Sequence, residues 1–266
     1  MKQTLRDTFD VLLYLFTFLL IQVVVTAAIS LAAAGGAMTG TLFLATSGVS
    51  GLLTIVLYAW LGWSPFSRAF MGSGPWALLF WTLCLGVGLL LPCDLLQEVL
   101  GAELPDDVRQ MFASMIQTDW GWIVVGIIAP AAEEVVFRGA ILRRLLRMGS
   151  LRRPWTAIAL SALLFGLVHL NLAQGVNAVL MGLVFGWLYW RTNSIVPGLV
   201  LHCLNNLSAV FLCRLLPAGV DARITDLYGG DTLRTVLALC CSLAIILASL
   251  FQIVQHLKRA PRMNHK

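Results

Sequence analysis

Charged residues are scarce in this chain of 266 residues. Asp, Glu, Lys and Arg make up 12% of the sequence, and 59% of its residues are hydrophobic. This composition excludes a disordered chain, which needs much charge and few apolar residues. It also leaves too little charge to cover a soluble domain, and the 18 Lys and Arg residues are too few for a nucleic-acid-binding face. We therefore expect a chain surrounded mostly by lipid, with no nucleic-acid partner.

Cysteine motifs are also lacking. The six cysteines include no C-x-x-C pair, and most of them lie in apolar runs. We interpret them as small apolar side chains rather than as a disulfide framework or a zinc knuckle.

Long apolar runs are what the sequence has instead. A membrane-spanning helix needs about 20 apolar residues, and the first run, at about 24, is too long for a signal-peptide core. The chain therefore predicts an all-α polytopic membrane protein, a single integral membrane domain over residues 1–266 with about eight transmembrane helices. The stretch Leu104–Gln117 is polar on one side, so we expect it to lie along the interface. The predicted segments are Val11–Ala34, Leu42–Leu61, Trp76–Leu100, Trp120–Leu146, Trp155–Leu170, Val176–Tyr189, Ile195–Leu215 and Leu233–Leu257.

Positive charge predicts the orientation. With the N-terminus inside and eight spans, the inside loops and tails hold 13 of the 18 Lys and Arg residues, and the outside loops hold 4. The positive-inside rule then predicts a multi-pass cell-membrane protein with both termini in the cytoplasm.

Few ionisable side chains remain inside the apolar segments once those near segment ends are assigned to loops or interfaces, as Asp94 and Glu98 are at the end of the third segment. Each costs about 2.5–3.5 kcal/mol there on insertion scales, so each is a functional candidate by default. These residues, with the amides that follow them, are Glu133, Glu134, Arg138, His169, His202, Asn205 and Asn206.

The fourth segment carries the motif A-A-E-E-V-V-F-R. Glu134 and Arg138 are four residues apart, so they share a helix face and can pair. Glu133 is rotated by about 100° and has no counterion in its own helix, which makes it a candidate general base. Pro130 upstream is expected to loosen the helix and help to open a cavity. A packing network between helices is the alternative for the three charged residues, and an orienting role is favoured for Glu134 and Arg138.

Two further motifs have the same spacing. Phe165 and His169 share one helix face in F-G-L-V-H, and His202 and Asn206 share another in H-C-L-N-N. A hydrogen-bonded interface histidine and an interhelical amide are the alternatives. Counted from the predicted cytoplasmic ends, Glu133 and His169 lie ~20 Å deep, but His202 lies only ~10 Å deep.

The residues on these three helices can converge on one cavity and activate a water. Glu133 would take its proton, helped by His169, while His202 and Asn206 would donate hydrogen bonds to the oxyanion. Alternatively, Glu133, His169 and His202 would bind a divalent metal such as zinc, with a water in the open position. Either arrangement performs hydrolysis, and inside a membrane the expected substrate bond is a peptide bond.

Together the motifs E-E-x-x-x-R, F-x-x-x-H and H-x-x-x-N resemble the CPBP family of CAAX-protease and bacteriocin-processing membrane proteases, also called the Abi family, which includes the type II CAAX prenyl endopeptidase. The resemblance covers residues 120–215, which we take as the catalytic core. It implies an eight-helix intramembrane endopeptidase with a membrane-embedded active-site cavity, acting on a membrane-associated peptide or protein. The catalytic residues would be Glu133, His169, His202 and Asn206, and the orienting or structural residues Glu134, Arg138 and Phe165. Both a metal and a metal-free glutamate mechanism are attributed to the family, and we favour the metal-free one.

Sequence motifs typical of other functions are present but less specific. G-V-S-G at Gly48–Gly51 resembles a rhomboid serine motif, but we expect Ser50 to serve helix packing. Gly182 and Gly186 form G-x-x-x-G, which also favours packing, although many transporters contain it. A small-molecule transporter and a non-catalytic immunity or scaffold protein are the alternatives to a protease.

Overall fold

The computed structural model describes residues 2–33, 39–65, 68–101, 103–149, 151, 153–215 and 227–259. All regular secondary structure in these ranges is helical, which confirms the all-α prediction. The ten helices of the described ranges are α1 (Lys2–Ala32), α2 (Gly40–Trp60), α3 (Arg68–Gly72), α4 (Trp76–Val99), α5 (Asp106–Gln117), α6 (Gly121–Arg147), α7 (Pro154–Leu167), α8 (Leu172–Thr192), α9 (Val196–Leu215) and α10 (Thr232–Arg259).

Each of the eight predicted apolar segments coincides with a helix, and the polytopic membrane architecture is confirmed. Six helices, α1, α2, α4, α8, α9 and α10, are long and apolar enough to span a membrane on their own. Helix α6 passes that test only together with α5, from which it is bent by 115°. Helix α7 has 14 residues and is ~21 Å long, shorter than the ~30 Å hydrocarbon core. By length and composition the described residues therefore hold six or seven spans.

Helix α6 is the centre of the molecule, where it contacts α1, α2, α7, α8 and α9. Two stretches of it, Val124–Ile128 and Val135–Leu142, have π-helical hydrogen bonding and flank an ordinary turn, Ala129–Glu134. The second π-helical stretch is buried along its whole length. Widened turns of this kind are frequent at functional sites, and these two enclose the candidate glutamates.

Glycines let α7 and α8 approach closely. A Cβ added at Gly182 would lie 3.1 Å from Ala162 Cβ, and one added at Gly186 would lie 2.9 Å from Ile158 Cγ2. The G-x-x-x-G motif thus packs two helices, as expected of small residues in a membrane interface.

Both ends of the described chain pack beside segments that the charge count assigns to the inside, the end of α6 and the short helix α3. Near the start of α1, Asp7 and Asp10 pair with Arg144 at the end of α6, the first at 3.1 Å. Near the end of α10, Leu257 packs against the cluster that contains Phe70. The charge count assigns these segments to the cytoplasm, and that orientation stays a prediction. Residues 1 and 260–266, the termini themselves, lie outside the described residues.

Candidate active site

A buried ion pair forms the base of the site. Arg138 Nη1 donates to Glu134 Oε1 at 2.7 Å, and both side chains are buried completely, so the pair predicted from their spacing is formed. Arg138 Nη2 also donates to the carbonyl oxygen of Gly182 at 3.2 Å. The guanidinium carbon lies 4.5 Å from the ring centre of Phe165 and 4.9 Å from that of Phe185. Two aromatic faces, a carboxylate and a carbonyl therefore replace the water that a buried cation loses.

His202 connects this ion pair to Glu133. Its Nδ1 lies 3.2 Å from Glu134 Oε1, and its Nε2 lies 3.5 Å from Glu133 Oε2. The ring is stacked on Phe185, with 5.0 Å between the ring centres. The Glu133 side chain is 22% exposed, whereas that of Glu134 is fully buried. The two adjacent glutamates therefore have different surroundings, and only Glu133 has an open side.

The expected difference in depth between His202 and Glu133 is absent, because the His202 ring contacts both glutamates. Ser194 and Ile195, in the loop before α9, are 0% and 9% exposed. The second turn of α9 is therefore level with the glutamates. A glycine on the first turn permits the approach, because a Cβ at Gly198 would lie 2.9 Å from Glu134 Oε2.

His169 lies in the turn after α7, since the helix ends at Leu167, two residues earlier than the motif predicts. Its Nδ1 lies 2.8 Å from the carbonyl oxygen of Phe165, and its ring meets the edge of the Phe165 ring. A carbonyl oxygen only accepts, so in the neutral imidazole Nδ1 carries the proton and Nε2 presents a lone pair. Asn171 Nδ2 donates to the His169 carbonyl at 2.9 Å and holds the turn.

Asn206 has part of its amide engaged already. Its Nδ2 donates to the carbonyl oxygen of Val125 in α6 at 3.0 Å, and its Oδ1 accepts from Asn205 Nδ2 at 3.3 Å. The interhelical bond considered as an alternative is therefore present. An amide nitrogen carries two N–H groups, so the second is available to another acceptor.

The four candidate catalytic residues line one cavity. Its volume is about 860 Å³, within the usual range for ligand sites. Its walls include Glu133, Phe165, His169, His202 and Asn206, which come from α6, α7, the turn after α7, and α9. Glu134 and Arg138 lie behind this wall, where they contact His202 and Phe165 respectively.

Sequence reasoning missed further polar residues in the same cavity, among them Asp94, Gln97, Glu98 and Asn177. The acidic residues in α4 are readable as the end of a span, and Asn177 as a segment boundary. Asn177 in fact lies inside α8, which begins at Leu172, directly after the N-cap residue Asn171. The only sequence signal was polarity at the edge of an apolar run.

The amphipathic helix α5 covers one side of the cavity. It contributes Arg109, Phe112, Met115 and Ile116 to the lining. Arg214 of α9 donates through Nε to the Ile116 carbonyl and through Nη2 to the Thr118 carbonyl, both at 2.7 Å. These bonds satisfy carbonyl groups at the end of α5, where a cation is also favoured by the helix dipole.

The serine alternative finds no support in the structure. Ser50 is buried, and its hydroxyl donates to Gln22 Oε1 of α1 at 2.7 Å. It does not line the cavity. Ser50 therefore joins α2 to α1, as the packing interpretation expects.

The three candidate metal ligands do not form a metal centre as they are placed here. Within the part of the chain that the structure describes, no group of three His, Cys, Asp or Glu residues is arranged to hold an ion. Each histidine is held through Nδ1, His169 by a carbonyl and His202 by Glu134, an orientation that metal-ligating histidines share with hydrogen-bonding ones. Because the three side chains are not grouped around one point, no chemical step is assigned to a metal.

Comparison with known proteins supports the motifs. Residues 116–208 match the family model described as type II CAAX prenyl endopeptidase Rce1-like, a segment that contains all four candidate catalytic residues. No curated protein and no solved structure matches the chain. The matched segment overlaps the stretch 120–215 over which the three motifs resemble the family. Several helices that are apolar enough to span a membrane flank this stretch in the chain. The match over residues 116–208 supports the resemblance to CAAX-type intramembrane proteases that the three motifs predict.

Proposed function

We propose that this chain is an intramembrane endopeptidase that hydrolyses a peptide bond of a membrane-associated protein or peptide with a water activated by Glu133 and His169. The observation that carries the proposal is the contrast between the two glutamates. Glu134 is buried against Arg138 and His202, while Glu133 faces a cavity that His169 and Asn206 also line. Only one of the two carboxylates is therefore available to a water and a substrate.

In the proposed reaction, Glu133 and His169 have different roles in the attack of water on the peptide carbonyl. Glu133 accepts a proton from water as the water oxygen attacks the carbonyl carbon, and the lone pair on His169 Nε2 accepts a hydrogen bond from the same water. The carbonyl becomes a tetrahedral oxyanion. When the C–N bond breaks, the proton held by Glu133 passes to the departing nitrogen, so that the products are a carboxyl group and an amine.

The developing negative charge needs donors that are already in place. The His202 ring is held through Nδ1 by Glu134 and by stacking on Phe185, and its Nε2 lies beside Glu133. Because the Glu134 carboxylate only accepts, Nδ1 carries a proton, and His202 donates to the oxyanion through Nε2–H only when the ring holds both protons. The second N–H of Asn206 is the other donor. Donors that are fixed before the reaction stabilise the oxyanion without reorganisation, and loss of one such donor costs about 2.7–4 kcal/mol in other hydrolases.

The walls of the cavity favour a substrate that is both apolar and peptidic. Phe112, Met115 and Ile116 of α5 line one side, and polar side chains of α4 and α8 line another. The family description makes a prenylated C-a-a-X peptide the first substrate to test. A bacteriocin leader, a peptide pheromone and a membrane regulator are the other substrate classes.

The function is tested with the purified protein in lipid vesicles. We expect a farnesylated C-a-a-X peptide to lose its C-terminal tripeptide, detected by mass spectrometry, while the same peptide without the farnesyl group is cleaved more slowly. A second arm compares membrane peptides from cells that make the wild type with those from cells that make Glu133→Gln. Peptides specific to the wild type would identify another substrate class. An absence of cleavage in both arms would contradict the protease and favour a transporter or scaffold.

We further propose that the hydrolysis needs no bound metal, since Glu133, His169 and His202 are not grouped around a common point in the described part of the chain. Activity is expected to be unchanged after incubation with a chelator, and elemental analysis of the purified protein should find no stoichiometric zinc. Activity that is lost on chelation and restored by adding Zn²⁺ would contradict the metal-free mechanism and leave the protease assignment intact.

A further inference from the structure

One backbone carbonyl in α6 lacks both of its ordinary helical donors. In the π-helical stretch Val124–Ile128, the Ala129 N–H donates to the Val124 carbonyl, five residues back. In the same register the next donor, for the Val125 carbonyl, would be residue 130. That residue is Pro130, which has no N–H. The donor four residues along, Ala129, is already used, so the Val125 oxygen needs a partner from outside the helix.

An unpaired carbonyl in the interior of a membrane domain is costly, so it needs a donor from a neighbouring side chain or from water in the cavity. The partner is Asn206 of α9, whose Nδ2 lies 3.0 Å from the Val125 oxygen. The helices are close at this level, since a Cβ added at Gly126 would lie 2.3 Å from Leu207 Cδ2. Gly126 thus makes room for α9 beside the free carbonyl.

From this arrangement we infer that Pro130 is a positioning residue of the active site and acts through Asn206. The proline leaves the Val125 carbonyl free, the carbonyl holds the Asn206 amide, and the amide fixes α9 against α6. His202 lies one turn before Asn206 on α9. The hydrogen bond from Asn206 to the Val125 carbonyl therefore also fixes the position of the His202 ring along α6, beside Glu133. The effect on catalysis rests on the proposed function. The pairing of the Val125 carbonyl with Asn206, in place of a donor from residue 130, does not.

The inference is tested by a double-mutant cycle of Pro130→Ala and Asn206→Ala. Alanine at position 130 supplies an N–H that can donate to the Val125 carbonyl and compete with Asn206. We expect kcat on the farnesylated peptide to fall about 10- to 100-fold in Pro130→Ala, with KM little changed, as for a misplaced catalytic group. On the Asn206→Ala background the same substitution should have little further effect, because the two residues act as one unit.

Thermal unfolding in detergent tests the inference without any substrate. Asn206→Ala should lower the Tm in the presence of Pro130, because the Val125 carbonyl then has no donor. It should lower the Tm much less on the Pro130→Ala background, where residue 130 supplies one. Pro92→Ala, in the spanning helix α4, is the matched control and should be additive with Asn206→Ala in both measurements.

Additive effects of Pro130→Ala and Asn206→Ala on Tm would overturn the inference, as would an unchanged kcat in Pro130→Ala. If the wild type cleaves no peptide, the proposed function fails, and the Tm cycle still decides whether Pro130 acts through Asn206. If the wild type cleaves peptide but the cycle is additive, only the present inference fails.

Discussion

Replacing Glu133 by Gln is expected to lower peptidase activity by about 10²–10⁴-fold, the usual contribution of a general base. The change keeps the shape of the side chain and removes the carboxylate that would take the proton from water. Because the Glu133 side chain lies at the cavity wall and the buried ion pair is formed by Glu134, the variant should accumulate in the membrane like the wild type. The measurement is initial-rate cleavage of the farnesylated peptide, with membrane-fraction protein quantified in parallel.

Asp107→Asn is the matched control, since it removes an exposed carboxylate of α5 that does not line the cavity. Its activity should equal that of the wild type. His169→Ala should also be strongly impaired, because it removes the second group that contacts the water. Unchanged cleavage in both Glu133→Gln and His169→Ala would contradict the mechanism. A Glu133→Gln protein that is inactive but still protects its host would favour an immunity or scaffold role.

Replacing Arg138 by Met should cost about 3–5 kcal/mol of stability, because it leaves a buried carboxylate without its counterion. The guanidinium holds Glu134 at 2.7 Å and the Gly182 carbonyl at 3.2 Å, and both partners lose their donor. Glu134 also holds His202, so the activity should fall together with the stability. The free energy of unfolding is measured by denaturant titration in detergent.

Two further variants separate loss of the ion pair from loss of packing. Glu134→Gln with Arg138→Met removes both charges, and we expect it to be more stable than Arg138→Met alone. Arg234→Met breaks the exposed pair with Asp231, whose side chains are 72% and 43% exposed, and should cost less than about 1 kcal/mol. A double variant as unstable as the sum of its single variants would show that charge compensation is not the cause.

Local periodicity explains which parts of the site are predictable. Glu134 pairs with Arg138 because residues four apart share a face within a single helix. Phe165 contacts His169 at the same spacing, although His169 lies in the turn just after the helix end. Such a contact depends on one element and needs no knowledge of its neighbours. The membrane assignment is predictable for a similar reason, since each spanning segment must be apolar along its own length.

The contacts between helices were not predictable in the same way. The depth estimate for His202 was counted along its own helix from the predicted cytoplasmic end, whereas the structure places the His202 ring against both glutamates. The short α7 was counted as an ordinary span because its apolar run continues beyond Leu167, where the helix ends. Asn177 and Asp94 reach the cavity only because α8 and α4 pack around α9, and no pattern within either segment indicates this.

The sequence by itself determined a membrane protein, its apolar segments and three motifs that can supply a base, two imidazoles and an amide. Only the tertiary structure decided which glutamate faces the cavity, that His202 contacts both glutamates, and that Asn206 holds the carbonyl left free by Pro130. The physical reason is that composition and spacing act within one segment. The position of a side chain in a site depends instead on where neighbouring helices begin, how closely they approach, and which buried polar groups still need a partner.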